Sequence, residues 1–136
     1  MDRENTEIDS IFEIAKSTRE NAYAPYSGFK VGAAARLHGT GTIIGACNVE
    51  NVSYGATVCA ERNVVFAAVA QTGAADLEDL VIVTDAHPPA VPCALCLQVL
   101  QEFCSPDLRI HLADLSGVRS EVRLRELLPQ PFSSFP

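Results

Sequence analysis

The sequence predicts a layered α/β domain, a sheet with helices on its faces. Three observations carry that expectation. Helix-period and strand-period segments follow one another in the order α-β-β-α-β-α-β-β. The 136 residues suit one domain with a real core, and no repeat, low-complexity tract or linker divides them. Hydrophobic residues make up 48% and charged residues 20%, the balance of an ordinary globular protein. Residues 1–136 are therefore read as a single domain.

Ile8 to Ala22 predicts the first helix. Ile8, Ile11, Phe12 and Ala15 fall at helical spacing, with Lys16, Arg19 and Glu20 on the other face. The turn-rich run Tyr23-Ala24-Pro25-Tyr26-Ser27-Gly28 ends it. Phe29 to Leu37 and Thr42 to Cys47 read as strands joined at His38-Gly39-Thr40-Gly41, a good hairpin turn. A loop from Asn48 to Ala56 crowds polar and aromatic residues together, as binding loops do. Val58 to Ala70 is an almost wholly apolar helix, expected in the middle of the fold or against a partner subunit, with Gly73 as its stop. Leu80 to Val83 is a short buried strand. After the Pro-rich loop His87 to Pro92, Cys93 to Phe103 predicts another helix. Leu108 to Leu112 and Val118 to Arg123 read as an antiparallel hairpin across Ala113 to Gly117. Leu124 to Leu128 predicts one helical turn before a Pro-rich tail.

The formal net charge of -7 argues against a general nucleic-acid binder, since phosphate binding is mainly electrostatic. Met1 to Asn5 carries no signal-peptide character, and no apolar run is long enough to span a bilayer. The expected compartment is the cytoplasm, without nucleic-acid or membrane partners. There, cysteines at short spacing point to metal or redox chemistry rather than disulfides.

Two segments carry that chemistry: Cys59-Ala60-Glu61-Arg62 and Pro92-Cys93-Ala94-Leu95-Cys96. Each opens a predicted helix, where free N–H groups and the helix dipole stabilise a thiolate. Three thiolates from two helix starts can hold one zinc ion and leave its fourth position open, the arrangement of a catalytic site. Glu61, two residues after Cys59, can move protons beside the metal without ligating it. Two other readings remain open on the residues alone. Cys93 and Cys96 could form a redox pair, or Cys47, Cys104 or His87 could close a structural site as fourth ligand. Cys47 and Cys104 otherwise read as core residues, His38 as an exposed turn residue and His111 as part of a strand.

The C-x-E element followed by P-C-x-x-C is similar to the three-cysteine zinc deaminase signature. Ala24 to Ala34, Gly45-Ala46-Cys47-Asn48-Val49-Glu50-Asn51, both cysteine segments with Leu97-Gln98-Val99-Leu100, and Leu127 to Phe132 resemble, in order, the motifs of the short-chain cytidine deaminases. That resemblance implies a three-layer α/β/α fold with a five-stranded mixed sheet, a zinc cofactor, a homotetramer, and hydrolytic deamination of cytidine or deoxycytidine. It implies zinc ligands Cys59, Cys93 and Cys96, Glu61 as the proton shuttle, and Arg62 behind the thiolates offsetting their charge. It also implies Phe29 against the pyrimidine, Asn48 and Glu50 on the ribose hydroxyls, and the backbone at Ala60 reading the base. Tyr54 would reach a neighbouring subunit's site, and Phe132 would help cover a site.

The chain departs from that pattern. Val91 stands where the family has Ser, Ala94 where it has Gly, and Leu97 where it has Arg. The tail reads Phe132-Ser133-Ser134-Phe135 instead of Phe-Gly-Pro. Ala94 is expected to tighten the site, and Leu97 to alter its charge balance. The departures favour a modified cytosine nucleoside as the rival substrate. A zinc-stabilised scaffold is a further rival, against which Glu61, Asn48 and Glu50 argue.

Overall fold

In a computed structural model, which describes residues 3–136, the chain is organised by two crossover connections. Met1 and Asp2, part of the segment read for a leader, lie outside the described residues. Helix α1 (Arg3–Arg19) comes first, then the strands β1 (Gly32–Leu37) and β2 (Ile43–Cys47). Helix α2 (Ala60–Thr72) leads to β3 (Leu77–Val83), and α3 (Ala94–Phe103) to β4 (Arg109–Asp114). Strand β5 (Gly117–Arg123) and a single turn α4 (Leu124–Leu127) finish the fold. The five strands lie in the order β2-β1-β3-β4-β5. Only β3 and β4 pair in parallel, so the sheet is mixed as expected.

Strands β2 and β3 both run antiparallel to β1, hence parallel to each other. The connections β2-α2-β3 and β3-α3-β4 therefore step in the same direction across the sheet. Right-handed crossovers that step the same way place both helices on one face. Alternation along the strands agrees. Ala33, Ala35, Leu80, Ile82, Ile110 and Leu112 pack with Val64, Val65, Leu97 and Leu100 of α2 and α3. Ala34, Val81, Val83 and Ala113 face the other way, onto Ile11, Phe12 and Ala15 of α1. Each fully buried Val or Leu contributes about 1.5–3 kcal/mol. The fold is thus α/β/α in three layers.

Helix α1 lies unusually close to the sheet. A Cβ on Gly32 would stand 2.0 Å from the Ala15 carbonyl oxygen, and one on Gly45 2.7 Å from Ile14 Cγ2. Under the first turns of α1 is a buried charge cluster. Asp79 accepts hydrogen bonds from Arg36 Nη2 (2.9 Å) and Arg109 Nη2 (2.8 Å), and pairs with His111 Nε2 (2.9 Å). Glu7 and Glu4 of α1 reach the same two arginines. Asp79 is fully buried, which works to raise its carboxyl, but the hydrogen bonds with His111, Arg36 and Arg109 hold it below the usual carboxylate range.

Several boundaries differ from the sequence expectation. Helix α1 starts five residues before Ile8, in a polar stretch held by the ion pairs of Glu4 and Glu7, and ends three residues before Ala22. Strand β1 starts at Gly32, so Phe29 precedes it rather than opening it. Strand β3 gains Leu77, Glu78 and Asp79, a polar beginning made tenable by Arg36, Arg109 and His111. Cys59 and Cys93 stand at the N-caps of α2 and α3 rather than within the helices. Gly73 ends α2 as expected, at φ 78°. Helix α2 leaves Phe66 and Val69 exposed on its outer face. Cys104 is buried, whereas Cys47 is half-buried.

Candidate active site

A helix in a β-α-β unit runs back along the sheet, so its N-terminus lies beside the carboxyl end of the strand before it. The starts of α2 and α3 accordingly meet at the carboxyl edge of β2 and β3, where ligands bind in open α/β sheets. Cys59 caps α2, Cys93 caps α3, and Cys96 lies three residues into α3. Their sulfurs are 3.8 Å apart for Cys59–Cys93 and 3.5 Å for Cys93–Cys96. All three lie within 4.8 Å of one another, the only such ligand group among the described residues. Tetrahedral thiolates about 2.3 Å from zinc stand about 3.8 Å apart, so the donor set fits that ion. Cys47, Cys104 and His87, the possible fourth ligands, are not in the cluster. The open, catalytic form of the site is the one the geometry supports.

The thiols share their protons unequally. The hydrogen bond with Cys96 pulls Cys59 down to about 5, with Arg62 and Cys93 adding to it against burial. Cys96 is raised correspondingly. Arg62 Nη2 lies 3.7 Å from Cys59 Sγ and 3.4 Å from the Thr57 carbonyl oxygen. Burial opposes its charge while the thiols favour it. Leu97 is 7% exposed within the core and brings no charge to the thiols; Arg62 alone carries that balance on α2 and α3 near them.

A cavity of about 260 Å³ opens beside the cluster. Cys59, Cys93, Glu61, Phe29, Asn48 and Glu50 all line it. Glu61 is 5% exposed, and burial pushes its carboxyl up to about 7, with the Cys59 charge adding to the rise. Asn48 is buried, and its amide holds the main chain of Phe29 and Val31. Glu50 accepts from the backbone N–H groups of Tyr26 (2.9 Å) and Ser27 (3.1 Å), and from the Ser27 hydroxyl. Those donors, the hydroxyl first, lower its pKa.

Three sequence-predicted residues lie elsewhere within this chain. Ala60 is buried at the start of α2, and its side chain does not line the cavity. Tyr54 borders an adjoining depression of about 370 Å³, shared with Tyr26, Ser27, Glu50 and Thr57. Phe132 is 60% exposed, stacked edge-on against Phe135 at 5.3 Å, with its carbonyl accepting from Gln98. Val91 does line the cavity, but Ala94 is exposed and does not, so its methyl tightens nothing there. Sequence reasoning missed Ser27, Val31, Thr57, Ile82, Thr84 and Ala90. Ile82 and Thr84 were signalled only by their position at the carboxyl end of a parallel strand.

Comparisons with known proteins agree with this geometry. Residues 5–112 match the family model described as the cytidine and deoxycytidylate deaminase zinc-binding region. A cytidine deaminase of Sporosarcina psychrophila is 41% identical over 127 residues, covering 93% of this chain and 92% of that one. Another, of Halalkalibacterium halodurans, is 40% identical over 124 residues, covering 91% and 92%. The crystal structure of cytidine deaminase from Burkholderia pseudomallei superposes with a TM-score of 0.84 at 40% identity, covering 91% of this chain and 98% of that one. The structure from Mycobacterium tuberculosis gives 0.76 at 40% identity, covering 93% and 97%. With three cysteine sulfurs gathered at two helix starts and a buried glutamate beside them, the chain belongs to the zinc-binding cytidine and deoxycytidylate deaminase family.

Proposed function

We propose that this chain catalyses the hydrolytic deamination of cytidine and deoxycytidine, giving uridine or deoxyuridine and ammonia. The carrying observation is Glu61, a buried carboxyl raised to about 7 that faces a nucleoside-sized cavity beside Cys59, Cys93 and Cys96. Cys59, Cys93 and Cys96 would hold a zinc ion, which when bound would supply a water of lowered pKa. Glu61 would accept one proton of the attacking water as its oxygen bonds to C4 and deliver it to ring N3, then take the second from the new C4 hydroxyl and pass it to the amine as the C4–N bond breaks, leaving a C4 carbonyl and ammonia. A pKa near neutrality suits a group that must both take and give a proton.

The other roles rest on the family resemblance, supported for Phe29, Asn48 and Glu50 by the cavity they line. Phe29 packs against the pyrimidine, and the main chain at Ala60 reads its edge. Glu50 and Asn48 face the sugar hydroxyls. Arg62 offsets the thiolate charge. Neither the cavity nor the adjoining depression is lined by Lys or Arg, while Glu50 borders both, which favours a nucleoside over its phosphate. Tyr54 and Phe132 serve a neighbouring subunit in a homotetramer, a reading supported by the exposed Phe66, Val69, Tyr54 and Phe132. Among the described residues, no helix is long and apolar enough to cross a membrane. Free thiols at the site suit the reducing cytoplasm, and deamination of a free pyrimidine nucleoside suits a place in pyrimidine salvage.

Ammonia release from cytidine by the purified, zinc-loaded protein tests the proposal, with Glu61→Gln alongside. Release by the parent and near-total loss in the variant are expected. A parent that is folded and zinc-loaded but inert would overturn it. One observation favours a second reading, deamination of a base-modified cytosine nucleoside: Val91 and Ala90 give the cavity an apolar wall where a Ser is usual. A substrate panel separates the two, since a clear preference for cytidine removes the second.

A further inference from the structure

The β1–β2 ladder ends at the pair Gly32–Cys47. Beyond it the main chain after Cys47 changes partners. Asn48 O accepts from Tyr23 N at 3.0 Å, Glu50 N donates to Tyr23 O at 2.8 Å, and Val49 exchanges two 3.0 Å hydrogen bonds with Val58, next to Cys59. The chain before Gly32 would lose its partner at this point, yet it does not. Asn48 N donates to Val31 O at 3.2 Å. The side-chain amide then takes the place of the departed backbone: Val31 N donates to Asn48 Oδ1 at 2.9 Å, and Asn48 Nδ2 donates to Phe29 O at 2.8 Å. Asn48 is only 7% exposed.

One residue therefore belongs to two frames. Its main chain is tied through Val49 and Val58 to the start of α2, which carries Cys59 and Glu61. Its side chain is tied to the segment carrying Phe29. We propose that Asn48 is a positioning residue that fixes Phe29 relative to Cys59 and Glu61, and that this role outweighs any contact its amide makes with the sugar. Removing a side chain that continues a ladder in place of backbone leaves the Phe29 carbonyl and the Val31 N–H without these partners, and Phe29 keeps only the local bond from its N–H to the Ser27 hydroxyl at 2.9 Å. Misplacing a substrate-holding group by about 1 Å costs on the order of 10²-fold in rate.

The inference rests on the deaminase reading for its kinetic test, so a second readout is independent of activity. Asn48→Ala is compared with Asn48→Asp, which keeps the acceptor for Val31 N but places an acceptor against the Phe29 carbonyl. Each is assayed on cytidine and on 2′,3′-dideoxycytidine, which lacks the ring hydroxyls, in the parent and in the Phe29→Ala background. Loss of about 10–100-fold in kcat/KM is expected for both variants, equal on the two substrates, and shrinking to under about threefold once Phe29 is absent. A penalty that vanishes on the dideoxynucleoside would assign Asn48 to the sugar and overturn the proposal. Amide hydrogen exchange is followed in the same zinc-loaded proteins without substrate. Exchange at Val31 should rise at least tenfold in Asn48→Ala with the α2 amides unchanged. Unchanged protection at Val31 overturns the proposal even if cytidine proves not to be the substrate, and a parent inert on cytidine with the expected exchange pattern overturns only the deaminase reading.

Discussion

Replacing Asp79 by Asn should uncouple stability from chemistry. The carboxylate is fully buried and meets Arg36, Arg109 and His111 at 2.8–2.9 Å. Asparagine keeps the shape and removes the charge, leaving two arginines without their central counter-ion. Breaking a buried pair from one side costs about 3–5 kcal/mol, because the remaining charges stay desolvated. For 136 residues, an unfolding entropy of about 2.1 cal/mol/K per residue converts that to a fall in Tm of about 10–17 °C. Differential scanning calorimetry at neutral pH measures it. Zinc content and kcat at 25 °C should match the parent, because Asp79 lies on the face under α1 while the thiols and Glu61 lie at the other. The pH dependence has a definite sign. The Asp79 carboxyl is held low in the folded protein, so between that value and about 4 the unfolded chain binds more protons than the folded one. This contribution is complete above pH 4–5, is lost as acid titrates the folded carboxylate, and is missing from the variant. A Tm within 3 °C of the parent, or equal acid sensitivity of parent and variant, would refute the argument.

Glu61→Gln should retain one zinc per chain by atomic absorption while kcat falls about 10²–10⁴-fold. Cys96→Ser should lose zinc and activity together, whereas Cys47→Ser and Cys104→Ser should keep full zinc stoichiometry, as neither belongs to the ligand cluster. Gly32→Ala should lower stability by about 1–3 kcal/mol or more in denaturant titration, since its Cβ would meet the Ala15 carbonyl oxygen at 2.0 Å and α1 would have to lift. Val91→Ser should shift kcat/KM between cytidine and base-substituted cytidines, as the side chain lines the cavity and is 58% exposed.

The layered fold and its sheet were legible because apolar runs mark the buried elements α2, α3, β1, β3 and β4, while the short connection Ala113 to Gly117 joined the polar strand β5 to β4 as a hairpin. What the pattern hid was polar. The first turn of α1 and the opening of β3 are held by Glu4, Glu7, Arg36, Asp79, Arg109 and His111, partners scattered along the chain that no local window joins. The metal cluster was legible because its ligands come in two short motifs at helix starts. Ser27, Thr57, Ile82 and Thr84 were not, because each reaches the cavity through tertiary placement and would be an ordinary strand or turn residue anywhere else. Phe29, named as packing against the pyrimidine, lines the cavity but lies before β1 rather than inside it, since aromatic residues before an alternating run look like its first rung.

The N-caps of α2 and α3 are cysteines that make no side-chain hydrogen bond to their own helices. Ser, Thr or Asp at such positions typically contributes about 1 kcal/mol to a helix. Both crossover helices are thus left unfinished at the same corner, and a single cation can complete them together. Metal affinity and folding free energy become one linked quantity at that corner, so titrating a chelator should loosen two helices at once, and zinc supply in the cell would set how much of the chain is folded.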